Sequence, residues 1–281
     1  MNVPKIKYLT NKDLLKEIHL SKNTYCTYTA PEYSDYDLIV SSLEKLNIRT
    51  VATAKRNRAA RLGKLDHERA SQASAKKLSA KDFEIDYKKI SKQDLVFRVM
   101  TFEHVPLAPG RKKTLKNTAD SHEKVNFPPF QHWKFDDKDN LICVGKSHWK
   151  GDLTKGQFSK DHGQMTNNLA RMFLKLCDRY ATRGNVRGYT YNDEMKGQAI
   201  LQLTQIGLQF DESKSDNPFA YYTAAVTNSF VRIINIEKRN QNIRDDILEM
   251  NGMNPSWSRQ NSGSGKDPVA PSPVVTDTDW D

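Results

Sequence analysis

The chain has 281 residues, of which 37% are hydrophobic and 28% are charged, and its formal net charge is +10. This charge favours a polyanionic partner such as nucleic acid, because lysine and arginine displace counterions from phosphates, although a basic protein without such a ligand remains an alternative. Three cysteines that lie far apart do not suggest a disulfide framework or a CxxC metal site, and they fit a reducing cytoplasm. No apolar run is long enough for a signal peptide or a membrane span, so neither is expected.

The first elements are a short strand-like start and a helix within residues 5–20, which Thr10 or Asn11 can cap. Residues 24–36 are rich in Tyr, Thr and Pro and predict a loop. The segment from Leu38 to Lys81 has a helical pattern, and its part from Arg49 onward holds ten lysines and arginines. Such a basic, alanine-rich helix either lies on phosphates or is simply solvated, and the sequence favours neither.

A β-hairpin is predicted in the middle of the chain, after a Pro/Gly/Lys loop at 106–116. Its strands are 130–135 and 141–144, with the turn at 136–140. The glycine-punctuated segment 145–163 is interpreted as a linker.

Dense helical periodicity begins at Thr166 and predicts three helices. The first has an apolar face from Leu169 to Tyr180, and the second is expected over 193–210. The third starts with Asn217 as cap and Pro218 in the first turn. Its apolar face is predicted to comprise Tyr222, Val226, Phe230 and Ile233.

The opposite side of this third helix carries polar and aromatic residues at helical spacing. Aromatic rings stack on unpaired bases, amides pair with base edges, and guanidinium groups bind phosphate or guanine, although a solvated helix face has the same pattern. The row consists of Tyr221, Ala225, Asn228, Arg232, Asn235 and Arg239, and Lys238 and Arg244 extend its basic end.

Residues 209–223 (QFDESKSDNPFAYYT) resemble conserved region 2 of sigma factors, in which an acidic FD turn precedes an aromatic helix start. The similarity is closest to the late-transcription sigma factors of large tailed phages, whose pattern continues into Asn228, Phe230 and Val231. The opening residues 7–15 also look like that family. The resemblance covers about 75 residues well, from 168 to 242.

The resemblance implies a fold and a function. The fold is expected to be mainly α, with a three-helix region-2-like core at 165–250, an N-terminal helix segment at 1–21, a basic and partly flexible insertion at 22–160, and a disordered acidic tail at 251–281. The chain would act in the cytoplasm of an infected bacterium as a sigma factor, with no catalytic activity, cofactor or metal. It would direct host core polymerase to late phage promoters with a minus-ten-like element.

The resemblance also assigns residues to two interfaces. Tyr222 is similar to the tyrosine that stacks at the upstream edge of melted DNA, Phe219 to an aromatic that supports melted bases, and Ser229 and Arg232 to readers of the minus-ten element. Together with the polar row, the DNA-binding set is Phe219, Tyr221, Tyr222, Asn228, Ser229, Arg232, Asn235, Lys238 and Arg239. The second helix would dock on the clamp helices of the largest polymerase subunit through Asp193, Glu194, Gln198, Gln202 and Gln205.

The chain also departs from the primary bacterial sigma factors. Ala225 and Val226 stand where those proteins have two tryptophans, and no second helix-turn-helix unit is evident after residue 252. A minimal sigma factor of this kind would need helpers, namely a co-activator and the DNA sliding clamp. The tail 274–281 could contact the clamp, although a solvated tail is an equal alternative.

Two other classes of function stay open. One is a basic DNA-binding virion or packaging protein. The other is an HNH-type nuclease, because His132, Asn140 and His148 lie on or beside the predicted hairpin. Cys177 is interpreted as a packing residue because it follows Leu176 on the first strong helix.

Overall fold

The computed structural model describes residues 9–73, 79–110 and 121–262. In these ranges the α-helices are α1 (Asn11–Asn23), α2 (Ile48–Ala73), α3 (Asn167–Ala181), α4 (Asn192–Ile206), α5 (Pro218–Met250) and α6 (Trp257–Ser262). None of the helices in the described ranges combines the length and the apolar character that crossing a membrane requires.

The helix starts follow the capping signals in the sequence. The Thr10 side chain accepts a hydrogen bond from the backbone N–H of Asp13, and the Asn217 side chain accepts one from that of Ala220. Pro218 occupies the first turn of α5, where its missing N–H costs nothing. Thr166 caps α3 in the same way by accepting from Leu169. The three predicted C-terminal helices are therefore confirmed, as are the predicted caps Thr10 and Asn217, whereas α4 begins after Tyr191 without a side-chain cap.

A helical core is formed by α3, α4 and α5, and α1 packs against it. Its members come from the apolar faces that the periodicity predicted, and α1 adds Leu14 and Ile18, which are fully buried. Phe127 and Phe130 belong to the same cluster, so the middle of the chain also contributes to it. Large apolar side chains at the centre include Leu169, Phe173, Met195, Leu203, Tyr222, Val226 and Phe230.

The middle of the chain forms a five-stranded mixed sheet in the order β1-β5-β4-β3-β2. The strands are β1 (Cys26–Tyr28), β2 (Leu38–Val40), β3 (Val96–Met100), β4 (Phe130–Phe135) and β5 (Leu141–Ser147). All neighbouring pairs are antiparallel except β2 and β3, which are parallel and are connected through α2. The predicted hairpin is confirmed as β4 and β5.

Several sequence expectations for this region are wrong. Residues 26–28 of the predicted loop and 38–40 of the predicted helix are strands, because backbone pairing with β5 and β3 decides the conformation of these three-residue segments. The predicted linker contains the end of β5 and a second hairpin of β6 (Trp149–Lys150) and β7 (Gln157–Phe158). The fold therefore keeps the predicted helices but adds a sheet that the mainly-α expectation did not include.

Helix α2 packs on the sheet through a second apolar cluster. Ala54 and Ala59 of α2 are buried against Leu95, Phe97 and Phe135. The small alanine side chains let the helix approach the strands closely, which explains a helix that is rich in alanine yet poor in large apolar residues. Residues 251–262, at the start of the predicted disordered tail, include α6, and the rest of that tail lies outside the described residues.

Candidate nucleic-acid interface

The loop before α5 is fixed by local hydrogen bonds. Asp211 Oδ1 accepts from the backbone N–H of Ser213 at 2.9 Å and from its hydroxyl at 2.6 Å. Asn11 Oδ1 accepts from the backbone N–H of Phe219 at 3.1 Å, which ties α1 to the first turn of α5. Together with the Asn217 cap, these bonds define where the polar row of α5 begins.

Glu212 in this loop is buried in an ion network. Its Oε2 lies 2.7 Å from Arg98 Nη1 on β3, and its Oε1 lies 3.4 Å from Lys22 Nζ on α1. Lys22 also donates to the carbonyl of Phe210 at 2.7 Å. Burial alone would raise the pKa of Glu212, but Lys22 and Arg98 outweigh it and hold that pKa below the ordinary carboxyl value. The acidic motif therefore joins α1, the sheet and the start of α5.

The Arg98 side chain is surrounded by hydrogen-bond and aromatic partners. Its Nε donates to His132 Nε2 at 3.0 Å, its Nη2 lies 3.2 Å from His19 Nδ1, and its guanidinium lies 3.9 Å from the ring centre of Tyr36 and 3.8 Å from that of Phe130. Burial lowers the pKa of His132 well below its ordinary value, and Arg98 lowers it further, so this imidazole is neutral and can accept the Arg98 hydrogen bond.

The network residues were not among the predicted site residues. The available signal was Arg98 itself, a charged residue within the apolar run 95–100. A charge at a buried strand position requires a partner, because an unpaired buried ion is costly. The sequence does not reveal that the partner is Glu212, since 114 residues separate the two.

The outer face of α5 carries most of the predicted DNA-binding row. Phe219 is 41% exposed at its start. Tyr221 is half-buried, and its ring centre lies 5.6 Å from that of Phe210. The exposed polar members farther along are Asn228, Arg232, Asn235, Lys238 and Arg239. The structure therefore leaves seven of the nine predicted residues at least partly accessible along one helix.

Tyr222 and Ser229 are the two exceptions. Tyr222 is fully buried, its hydroxyl donates to the carbonyl of Gly207 at 2.5 Å, and its ring packs edge-on against Phe173 at 4.8 Å. Ser229 lies on the same buried side of α5. In this conformation neither presents a surface to a base, because both face the helical core, so they are removed from the DNA-binding set.

Helix α4 presents a separate stripe away from its core face of Met195, Ala199 and Leu203. Glu194 and Gln205 of the predicted polymerase-binding set are exposed on this stripe, and Leu201 between them is 59% exposed. Gln198 and Gln202 are half-buried at its edges, and Asp193, at the start of the helix, lies 3.5 Å from Lys196 Nζ. Glu194, Leu201 and Gln205, at i, i+7 and i+11, therefore share one exposed face of α4, whereas Asp193 lies about 100° from it around the helix.

The basic helix α2 turns two of its arginines toward the protein. Arg61 Nη2 lies 2.7 Å and Arg58 Nη1 3.3 Å from the buried carboxylate of Asp37, which also accepts from the backbone N–H of Val96 at 3.0 Å. These two arginines hold α2 to the segment around β2 and are not free for phosphate. Arg49, Lys55, Arg56, Lys64 and Arg69 remain exposed or half-exposed on this helix.

The nuclease hypothesis named His132, Asn140 and His148, and their positions do not match those of metal ligands. His132 uses both nitrogens, because Nε2 accepts from Arg98 and Nδ1 lies 2.7 Å from the carbonyl of Tyr33. His148 is buried with its ring centre 4.0 Å from that of Phe127. Asn140 ends the β4–β5 turn, where its carbonyl accepts from Asp136. Within 9–73, 79–110 and 121–262, no three His, Cys, Asp or Glu side chains are grouped as a metal site.

Comparisons with known protein families, with curated proteins and with solved structures give no match for this chain.

Proposed function

We propose that the chain is a sigma factor that directs bacterial core RNA polymerase to phage promoters, with late promoters as the expected class. The observation that carries the proposal is the exposed row on α5. It combines an aromatic start with amides and guanidinium groups, and it begins at the loop 211–217 that carries the sigma-like motif. The buried Glu212 network fixes this loop, so the row is held in a defined position.

The DNA-binding step is assigned to the start and the middle of this row. Phe219 and the half-buried Tyr221 offer ring surface to unstacked bases of a minus-ten-like element. Asn228, Arg232 and Asn235 follow as groups for base edges and phosphates. Melting would draw on binding energy alone, because captured bases offset the loss of stacking in the duplex. Tyr222 and Ser229 act only as core residues in this proposal.

The polymerase-binding step is assigned to the exposed stripe of α4. Leu201 supplies an apolar centre, and Glu194, Gln198, Gln202 and Gln205 surround it. A polar rim around an apolar anchor is typical of protein interfaces. The partner surface in this proposal is the pair of clamp helices of the largest polymerase subunit.

Helper proteins belong to the proposal as well. A co-activator and a sliding clamp are the helpers that the family resemblance implies. The acidic segment 274–281, the candidate clamp contact, lies outside the described residues.

The direct test is gel filtration of the full chain with host core polymerase. We expect co-migration, its loss in Leu201→Asp, and its retention in Leu174→Asp, which changes a leucine of α3 that is 44% exposed. Failure of the native chain to co-migrate with core polymerase would refute the sigma function.

A basic DNA-binding virion or packaging protein is the second candidate, favoured by the net charge of +10 and the exposed cations of α2. It predicts tight, sequence-independent and salt-sensitive DNA binding without any polymerase complex, so the same experiment separates the two.

A further inference from the structure

One mostly apolar stripe, interrupted by Ser229 and Asn240, runs along the whole of α5, with successive members alternately four and three residues apart. The first half of the stripe is buried against α3 and α4, and its members are Tyr222, Val226, Ser229 and Ile233. The second half continues the same spacing through Ile236, Asn240, Ile243, Ile247 and Met250. This four-three spacing is that of the a and d positions of a coiled coil.

The second half of the stripe is open to solvent. Ile236 is 43%, Ile243 47%, Ile247 53% and Met250 86% exposed. Helix α6 leaves the stripe open. Arg259 Nη1 of α6 lies 2.6 Å from Asp246, which flanks the stripe, and the hydroxyl of Ser256 just before α6 donates to the buried Asp245 at 2.7 Å. An apolar row of this length on a surface helix is expected to have a partner.

The charges beside the stripe indicate which partner fits. With Asn240 and Ile247 at a positions, Glu237 and Arg244 occupy e positions, and Arg239 and Asp246 occupy g positions. In a parallel pair of two α5 helices, Arg239 of each copy would face Arg244 of the other, a repulsion that cancels the attraction of Arg232 for Glu237.

An antiparallel pair centred between Asn240 and Ile243 reverses this outcome. There Arg239 faces Asp246 and Glu237 faces Arg244, and the two-fold symmetry produces each pair twice. The Asn240 amide already donates to Glu237 of its own helix at 3.1 Å, so it keeps a hydrogen-bond partner beside the facing isoleucine.

We propose that the C-terminal half of α5 is a self-association surface, on which a second copy of the chain binds as an antiparallel two-helix coiled coil. The charges along residues 237–246 are self-complementary in this orientation only. Because Arg239 also ends the polar row of α5, the dimer covers that end of the row. The inference does not rest on the proposed sigma function.

The test is sedimentation equilibrium of the full chain, free of nucleic acid, at physiological ionic strength. Arg239→Asp and Asp246→Arg each place like charges opposite one another and are expected to raise the dimer dissociation constant about tenfold or more. An equimolar mixture of the two variants restores opposite charges at both contacts and is expected to dimerise again. Arg259→Ala is the control for Asp246→Arg, since both remove the ion pair with α6.

A second pair of variants tests the apolar stripe. Ile243→Asp is expected to leave a folded monomer, whereas Leu174→Asp, at a similarly exposed site on α3, should dimerise like the native chain. Circular dichroism melting verifies that both variants fold. A native chain that stays monomeric at all concentrations overturns the proposal, as does a mixture of charge variants that fails to restore the dimer. A dimer strengthened by Arg239→Asp alone would show a parallel pair and also overturns it.

Discussion

Arg98 on β3 and Glu212 in the loop before α5 form a buried ion pair, with Nη1 and Oε2 2.7 Å apart. Lys22 of α1 approaches the other carboxylate oxygen, so one acidic side chain joins three parts of the chain. The loop with the sigma-like motif is therefore fixed partly by residues that lie outside the motif. This relationship makes the sheet part of the scaffold that positions the candidate interface.

Replacement of Glu212 by Gln should strongly destabilise the fold. Arg98 and Lys22 would stay buried without their counter-charge, and breaking a buried ion pair from one side costs about 3–5 kcal/mol. Urea unfolding followed by circular dichroism measures the free energy of unfolding. Asp216→Asn, at an exposed position in the same loop, is the control and should behave like the native chain. Equal stabilities of the two variants would show that the network contributes little.

Tyr222→Phe should lower stability without changing DNA binding. The variant loses the hydrogen bond to the carbonyl of Gly207, a change worth about 1 kcal/mol at a buried site. Tyr221→Phe is the adjacent control and should leave the free energy of unfolding unchanged. Binding of a labelled promoter fragment provides the second readout. A loss of DNA affinity in Tyr222→Phe at native stability would mean that this residue reaches DNA.

Acid should destabilise the protein below pH 6.5 through its buried histidines. Burial lowers the pKa of His148 from 6.5 to about 3, and that of His104 to about 4. Between the folded and unfolded pKa values the unfolded state binds more protons, so stability falls as the pH falls, by up to about 1.4 kcal/mol per pH unit for each histidine.

The variant His148→Asn tests this pH dependence. Asparagine tolerates the left-handed backbone at this position, where φ is 50°, and it does not titrate in this range. Its absolute stability should be lower because the ring contact with Phe127 is lost, but the slope of stability against pH between 6.5 and 4.5 should be shallower. A slope identical to that of the native chain would contradict the assignment to His148.

Two basic residues of α2, Arg61 and Lys64, should contribute differently to stability and to DNA binding. Arg61→Ala removes the 2.7 Å contact to the buried Asp37 carboxylate and should cost about 1–3 kcal/mol of stability. Lys64→Ala, at an exposed site on the same helix, should leave stability unchanged. If α2 touches phosphate, the lysine variant lowers the slope of DNA affinity against salt by about one. Unchanged unfolding of Arg61→Ala would argue against the structural role of its ion pair.

The helices of the core and the caps of α1 and α5 were predictable because they depend on local patterns. Apolar residues at helical spacing, Thr10 before α1, and Asn217 before Pro218 all act within a few residues of each other. The strands β1 and β2 were not predictable, because each has only three residues and is stabilised by partners far along the chain.

Tyr222 shows how two sequence arguments can disagree. The periodicity of α5 placed it on the apolar face, whereas the family resemblance assigned it to DNA, and the structure agrees with the periodicity. Arg58 and Arg61 show the same difficulty for charge, since a basic run does not reveal which cations face a buried carboxylate such as Asp37.

Transcription from phage DNA by host core polymerase, with and without this chain, is the decisive measurement for a sigma function. Discrete promoter starts are expected only when the chain is added, with permanganate-reactive thymines upstream of each start. Arg232→Ala should weaken this opening by about 1–3 kcal/mol, whereas Arg171→Ala, an equal change of charge at an exposed site on α3, should not. Identical transcripts with and without the chain would rule out a sigma function.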